Sequence, residues 1–345
     1  METPLNERRA EILRAIVGHY VRSGEPVGSK NLVERYNLSV SPATVRNEMA
    51  ALEEAGLIYQ PHTSAGRIPT DAGYRVFVDT SKRSRLPERE TRRIRSFFVE
   101  PRWELEDALR HTAALLSSLT DHAAVVFAPA LARSLVRHVE LVELPGHRAM
   151  VVMVTDTGRV ENHVVAIPES SADDPQLDLT GEMLNRILEG VPLDEAVPKM
   201  LTGLERLPLE LRDLAAGVAE ALEQGFSEKE SARVFLEGTS NIVDESKFSD
   251  LETVRQVVGA LEHRRLLLEV LADALSLGRM SVRIGSENSA SEMQFCSVIT
   301  APYGDDEPIG SLGVVGPTRM DYRRTIAAVR EVSASLGRML SSLGT

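Results

Sequence analysis

The sequence predicts a multidomain α+β chain, and three observations predict it. A length of 345 residues is enough for two or three domains. Through the first 80 residues, helical apolar spacing alternates with Gly- and Pro-rich turns. Further on, strand-like stretches lie on both sides of a helical segment. Apolar residues make up 43% and charged residues 26%, ordinary globular usage that excludes wholesale disorder.

Residues 5–23 read as a helix, because Leu5, Ile12, Ile16, Tyr20 and Val21 recur at helical spacing and Leu13 and Val17 widen the stripe. Gly24 and Pro26 end it. A short helix over 29–35 turns Leu32, Val33 and Tyr36 inward, and 37–40 form a brief connection. Ser41 is a good N-cap, with Pro42 at N1, where its missing N–H costs nothing. That helix runs to Ala55 and stops at Gly56, a natural C′ residue. Leu57-Ile-Tyr59 and Arg67-Ile-Pro69 are two short strands around the tip 60–66, and Thr70 caps another helix carrying Tyr74, Val76 and Phe77. Helix, helix, turn, helix and β-hairpin in that order is a winged helix-turn-helix.

Residues 82–95 hold seven basic and two acidic side chains and read as a charged linker or an exposed helix. Beyond it, 104–120 is helical. Strands are expected over 123–127, 136–144, 149–155 and 159–167, with Pro145-Gly-His147 and Asp156-Thr-Gly158 as hairpin turns. Residues 177–224 turn helical, a strand follows at 233–236, and one long helix spans 251–277. Strands near 282–284, 293–301 and 309–315 lead to a last helix, 319–343. Strands flanking a helical stretch suggest one antiparallel sheet interrupted by an insertion, with limits near 168 and 249. Leu251, Val254, Val258, Leu261, Leu268, Ala272 and Leu275 could form a dimer coiled coil, but packing on the chain's own sheet is the simpler role.

Charge is unevenly spread. Residues 1–95 carry 16 Lys and Arg against 12 Asp and Glu, while the rest of the chain carries 23 against 39. A polyanion can approach the first segment and is repelled by most of the second. The single cysteine, Cys296, excludes an internal disulfide or a multi-thiolate metal site and is expected to be a small core residue. No apolar run reaches membrane-spanning length, and the N-terminus has no signal-peptide segment, so a soluble, cytoplasmic chain is expected. No Walker loop, nucleophile elbow or clustered metal-ligand spacing is present, so neither enzymatic activity nor a cofactor or metal is expected. Gly310-Ser-Leu-Gly-Val-Val-Gly316 lies along a strand and reads as packing, and Asp305-Asp-Glu307 as a solvated tip rather than a cation site.

The helix after Ser41 carries the functional expectation. At 100° per residue, Val45, Met49 and Leu52 fall within about 60° of one another and face the core. The opposite side presents Ala43, Asn47, Ala50 and Glu54, flanked by Thr44 and Arg46. Small residues there let a helix enter the major groove. Asn47 can pair bidentately with adenine, and Arg46 with guanine or a phosphate. Ser41 and Thr44 sit at the N-terminal turn, where free N–H groups attract phosphate. Lys30 and Arg67 are expected to anchor backbone or wing, with Arg67 in reach of a minor groove, and His62 and Thr63 at the wing tip can touch backbone. For a lone helix, a mixed polar surface would be the ordinary explanation; the preceding helix-turn and following wing favour DNA.

The motifs Ser41-Pro-Ala-Thr-Val-Arg-Asn-Glu-Met-Ala50, Leu52-Glu-Glu-Ala-Gly-Leu-Ile58, Pro61-His-Thr-Ser-Ala-Gly-Arg67, Pro69-Thr70 and Gly73-Tyr-Arg75 resemble the heat-inducible transcription repressor HrcA family. The likeness continues through Gly238-Thr-Ser-Asn-Ile242, Ile284-Gly285, Glu287-Asn288 and Gly313-Val-Val-Gly-Pro-Thr-Arg-Met-Asp-Tyr322, spanning nearly the whole chain. The resemblance implies a winged-helix domain over 1–80, a charged linker over 81–103 and a GAF-like antiparallel-sheet domain in two parts, 104–167 and 250–345. An inserted helix-rich dimerisation domain would occupy 168–249. It also implies a homodimer that represses chaperone operons at an inverted-repeat operator in double-stranded DNA, with a GroEL-type chaperonin modulating its activity. The alternative is a metabolite-responsive winged-helix repressor whose GAF-like domain binds a small molecule.

Overall fold

The computed structural model describes residues 6–63, 65–81, 84–99, 105–128, 135–156, 158, 160–167, 174–229, 233–242, 251–304 and 308–342. The chain divides into two compact units, Met1–Phe127 with Val234–Arg338, and Ala128–Arg233 with Met339–Thr345. No described helix is long and apolar enough to cross a membrane. The segment 305–307, read as a solvated tip, and the limits 168 and 249 lie outside the described residues.

The first unit begins with α1 (Glu7–Ser23), α2 (Ser29–Tyr36), α3 (Pro42–Glu54), β1 (Ile58–Tyr59), β2 (Ile68–Pro69) and α4 (Asp71–Thr80), the winged-helix order read from the sequence. Ile12, Leu13, Ile16 and Val17 of α1 are buried with Leu32 of α2 and Val45, Met49 and Leu52 of α3. Val33 and Tyr36, expected inside, are only half-buried. Tyr36 instead lies beneath the Arg22 guanidinium, 5.6 Å from the ring centre, and meets His19 edge-on. Burial first, then the nearby Arg35 and Arg22 charges, hold the His19 imidazole below its ordinary pKa.

The charged stretch after the winged helix is ordered as α5 (Glu88–Val99). Ile94 and Phe98 are buried, and Glu90 and Arg95 pair with Arg324 and Glu331. Two large apolar groups four residues apart are enough to seat a helix whose remaining faces are charged. The body of this unit adds α6 (Leu105–Thr120), β3 (Ala123–Ala128), β7 (Arg233–Glu237), α10 (Leu251–Glu262), α11 (Arg264–Leu277), β8 (Ser281–Ile284), β9 (Cys296–Tyr303), β10 (Gly310–Pro317) and α12 (Tyr322–Ser342). Its strands form one five-stranded sheet in the order β7-β3-β10-β9-β8. The β3–β10, β10–β9 and β9–β8 pairs are antiparallel.

The long helix expected over 251–277 is two helices. His263 leaves the helical region, with ψ at 93°, and starts α11 afresh. The break shifts the apolar seam by one residue. Leu267, Leu271 and Ala274 are buried, rather than Leu268, Ala272 and Leu275. Val257, Leu261, Leu267 and Leu271 pack on Cys296, Val298 and Val315 of the sheet. On the other face, the Tyr322 hydroxyl of α12 lies 2.6 Å from Ser297 Oγ. Burial pushes the Cys296 thiol up to about 12, as befits a core side chain.

The second unit holds β4 (Val136–Leu144), β5 (Arg148–Thr155), β6 (Val160–Ala166), α7 (Asp174–Leu188), α8 (Ala196–Gly203) and α9 (Leu209–Lys229). Its strands form a separate antiparallel sheet, β4-β5-β6, rather than part of one interrupted sheet. Val139, Leu141, Val151, Met153 and Val165 face Leu177, Leu184, Leu214 and Val218 of the helices. The three strands therefore go with the helices that follow them. Alternation establishes which residues of a strand share a face, but it does not say which sheet the strand joins. Asn185 of α7 caps the open edge of β4, accepting from the Val139 amide and donating to its carbonyl, both at 2.6 Å.

Candidate nucleic-acid interface

Helix α3 starts where its cap dictates. Ser41 Oγ accepts the Thr44 amide at 3.1 Å and lies 2.9 Å from the Thr44 hydroxyl, and Pro42 occupies N1. Gly56, at φ +70°, ends it. Val45 and Leu52 are fully buried and Met49 nearly so, which turns Ala43, Arg46, Asn47 and Ala50 to the outside. Thr44 is half-buried beside its cap. Among the described residues, Arg46 and Asn47 have neither a hydrogen bond nor an ion pair, so both reach outward uncommitted. Lys30 is exposed near the start of α2, whose N-cap, Gly28, supplies no side-chain acceptor.

Of the three carboxylates on α3, Glu54 is exposed at its C-terminal end, and the other two are each tied to an arginine. Arg9 Nε donates to Glu48 Oε2 at 2.8 Å, and Arg67 Nε to Glu53 Oε2 at 3.0 Å. Such half-exposed pairs add about 0–1 kcal/mol to stability. Their larger effect is on the local field, since each arginine cancels a carboxylate that would otherwise repel a phosphate. Nothing in the sequence pattern marks Arg9 or Glu48, which lie 39 residues apart.

Arg67 therefore does not extend freely from the wing; it joins the wing's base to the reading helix. The wing is also more than a hairpin. Val27 exchanges backbone hydrogen bonds with Arg67 at 3.1 and 2.9 Å, adding a third, one-residue strand. Gly66 permits that approach, because a Cβ there would lie 2.4 Å from the Val27 carbonyl carbon. At the tip, Gln60 Nε2 donates to the Thr63 and Ala65 carbonyls, both at 2.9 Å, which leaves His62 and Thr63 exposed on a braced loop. Because Arg67 neutralises Glu53 from its place on the wing, Arg67→Ala is expected to weaken binding to every duplex several-fold with base preference intact. Anisotropy titrations from 50 to 200 mM salt should show a slope changed by well under one unit; a slope shallower by about one would make Arg67 a phosphate contact.

The assembled surface has a slim helix edge, two uncommitted polar side chains, a capped helix start and a braced wing. That combination suits insertion of α3 into a major groove with the wing along the backbone.

The family described as "Winged helix-turn-helix transcription repressor, HrcA DNA-binding" matches residues 4–82, and "HrcA protein C terminal domain" matches residues 106–326. A "Heat-inducible transcription repressor HrcA" of Thermobifida fusca (strain YX) is 43% identical over 98% of this chain and 97% of its own length. Its namesakes in Parafrankia sp. (strain EAN1pec) and Streptomyces avermitilis are each 44% identical over 98% of this chain and 99% of theirs. A solved structure titled "Crystal structure of a hypothetical protein at 2.2 A resolution" aligns over 99% of this chain and 100% of its own, with a TM-score of 0.66 at 24% identity. That last likeness is one of fold.

Proposed function

Because the chain belongs to the HrcA family of heat-inducible transcription repressors, we propose that it represses chaperone operons by binding an inverted-repeat operator as a homodimer. It is a repressor and not an enzyme. The observation that carries the reading is the outer edge of α3, where Ala43, Arg46, Asn47 and Ala50 stand exposed on a helix seated by Val45, Met49 and Leu52. Ala43, Thr44, Arg46 and Asn47 read or approach bases. Ser41, Lys30, His62 and Thr63 meet the backbone, and Arg67 anchors the wing.

One winged helix reads only a few base pairs, so an inverted repeat calls for two related by a two-fold axis. We place that axis on the three-stranded sheet of the second unit. The sheet face turned away from α7, α8 and α9 carries Val142, Met150, Val152, Val154, Val160 and Val164. A sheet with one solvated face alternates apolar with polar; on this one six apolar side chains lie among His138, Glu140, Arg148 and Asn162, an apolar excess that supports a second copy as its cover. The dimerisation domain expected over 168–249 is proposed here to include the strands that precede it, as the compact unit from Ala128 to Arg233. The five-stranded sheet, antiparallel through β3, β10, β9 and β8 and with helices on its faces, supports the GAF-like reading of the body. The GroEL-type chaperonin as partner rests on the family resemblance.

Footprinting the full chain on DNA upstream of its own gene tests the proposal: a protected, two-fold symmetric segment is expected, and absence of any preferred site would refute it. Asn47→Ala should cost about 1–3 kcal/mol on that site and relax the preference at one base position per half-site. Unchanged selectivity would remove Asn47 from the readers.

A further inference from the structure

Two stretches have no role in base reading: the turn of α4 that holds Asp71 beside the Gly73-Tyr-Arg75 motif, and the loop from Gly285 to Asn288. They meet in the fold across 212 residues of sequence. Arg75 Nε donates to Glu287 Oε1 at 2.8 Å, while its Nη2 donates to Glu287 Oε2 and to the Val282 carbonyl at 2.5 Å. One turn earlier, Asp71 Oδ2 accepts the Ser286 amide at 2.9 Å and its hydroxyl at 3.0 Å. Gly285, at φ +52°, gives the carboxylate room, since a Cβ there would lie 2.1 Å from Asp71 Oδ2.

The loop is itself stiff. Asn288 Nδ2 donates to the carbonyls of Gly285, Met293 and Cys296, and Glu287 also accepts the Ile284 amide at 2.9 Å. Burial opposes charge on Glu287, but Arg75 and the Ile284 amide outweigh it and hold the carboxyl below its ordinary range. Nearby, Tyr74 packs on Tyr322 at 5.5 Å between ring centres, and Arg323 lies over Phe77 at 5.2 Å.

Helix α4 in turn holds the reading surface. Thr70, its cap, donates its amide to the Leu57 carbonyl at 3.1 Å and its hydroxyl to the Gly56 carbonyl at 2.7 Å, at the junction of α3 and the wing. Whatever fixes α4 therefore fixes α3. A bidentate guanidinium–carboxylate pair and a doubly hydrogen-bonded aspartate set direction as well as distance, which a plain linker cannot do.

The geometry points to Asp71 and Arg75 as positioning residues for operator recognition. They hold the winged helix on the Gly285–Glu287 turn so that a dimer presents its two α3 helices at one separation, and the preferred half-site spacing is set there. This rests on the dimeric-repressor reading above. Rigid presentation makes capture of the second half-site intramolecular at high effective concentration, and a loosened module loses that gain while keeping each half-site contact.

The test uses the full chain and an inverted repeat that it selects from a random duplex library. Anisotropy is then read on that duplex, on versions with one or two base pairs added to or removed from the spacer, and on a single half-site. Glu287→Gln and Asp71→Asn are expected to bind the half-site within about twofold of the parent and the selected repeat about tenfold more weakly, with a flattened spacing profile. Combining Arg75→Glu with Glu287→Arg should restore part of the spacing preference. An unchanged profile in a folded variant overturns the proposal, as does equal loss on half-site and repeat. If Glu287→Gln does not fold, Asp71→Asn decides. A parent chain that selects no inverted repeat brings down the dimeric reading itself, and this inference with it.

Discussion

With glutamate in place of both Val160 and Val164, the chain is expected to run as a monomer and to lose operator affinity by about 10²-fold or more. These side chains are 56% and 55% exposed in the single chain, beside Val142 at 42%. Among the described residues neither belongs to the buried core between the sheet and its helices, so the variant should fold with its sheet and the α7–α9 core intact. In a dimer closed on this face each carboxylate would be buried opposite its symmetry mate or a valine. A desolvated, unpaired charge costs several kcal/mol, and two-fold symmetry imposes it on both sides. Sedimentation should report half the parent mass with an unchanged circular dichroism spectrum. The single half-site should be bound as before, because the winged helix is untouched. A variant that stays dimeric would move the two-fold axis to another surface and remove the role assigned to this sheet.

Leu52→Ala is expected to act from the opposite direction, leaving the dimer and removing the reader. Leu52 is fully buried at the end of the seam that seats α3 against α1 and α2. Truncating such a leucine costs about 2–5 kcal/mol, the spread reflecting how far the cavity can close. The surroundings are constrained here, because the Leu57 amide donates to the Leu52 carbonyl at 2.9 Å and begins the wing. Hydrogen exchange should show lost protection in α3 and the wing, with the five-stranded sheet little changed. Half-site and full-operator affinity should fall together, unlike the pattern expected when the α4 clamp is loosened. Normal α3 protection in this variant would mean that the helix is held by something other than its apolar seam.

The elements that bear the site were largely legible, because the signals are local. Ser41, Pro42 and Gly56 bracket α3 as their backbone preferences require, and Val45, Met49 and Leu52 face inward as their spacing dictates. Thr70 caps α4 as expected, accepting the Gly73 amide at 3.1 Å. What was missed involves partners distant in sequence. The third wing strand consists of Val27 alone, too short for any alternation to announce it. Arg67 was expected to reach toward a groove or phosphate, because Glu53, 14 residues earlier, is one of several acids it could have met. His263 breaks a helix that the flanking apolar spacing carries through, and the seam slips by one position as a result.

From composition and pattern alone came the capped reading helix, its bare outer edge, the positive charge of the leading segment and the absence of catalytic motifs, all properties that a residue has by itself or shares with close neighbours in the chain. Which sheet each strand joins, which carboxylate each arginine neutralises and how Asp71 and Arg75 engage Ser286 and Glu287 were decided only in three dimensions. The physical reason is range. Caps, turns and helical stripes are settled within a few residues by backbone geometry and burial, whereas an ion pair or a strand pairing across two hundred residues depends on where the rest of the fold delivers its partner.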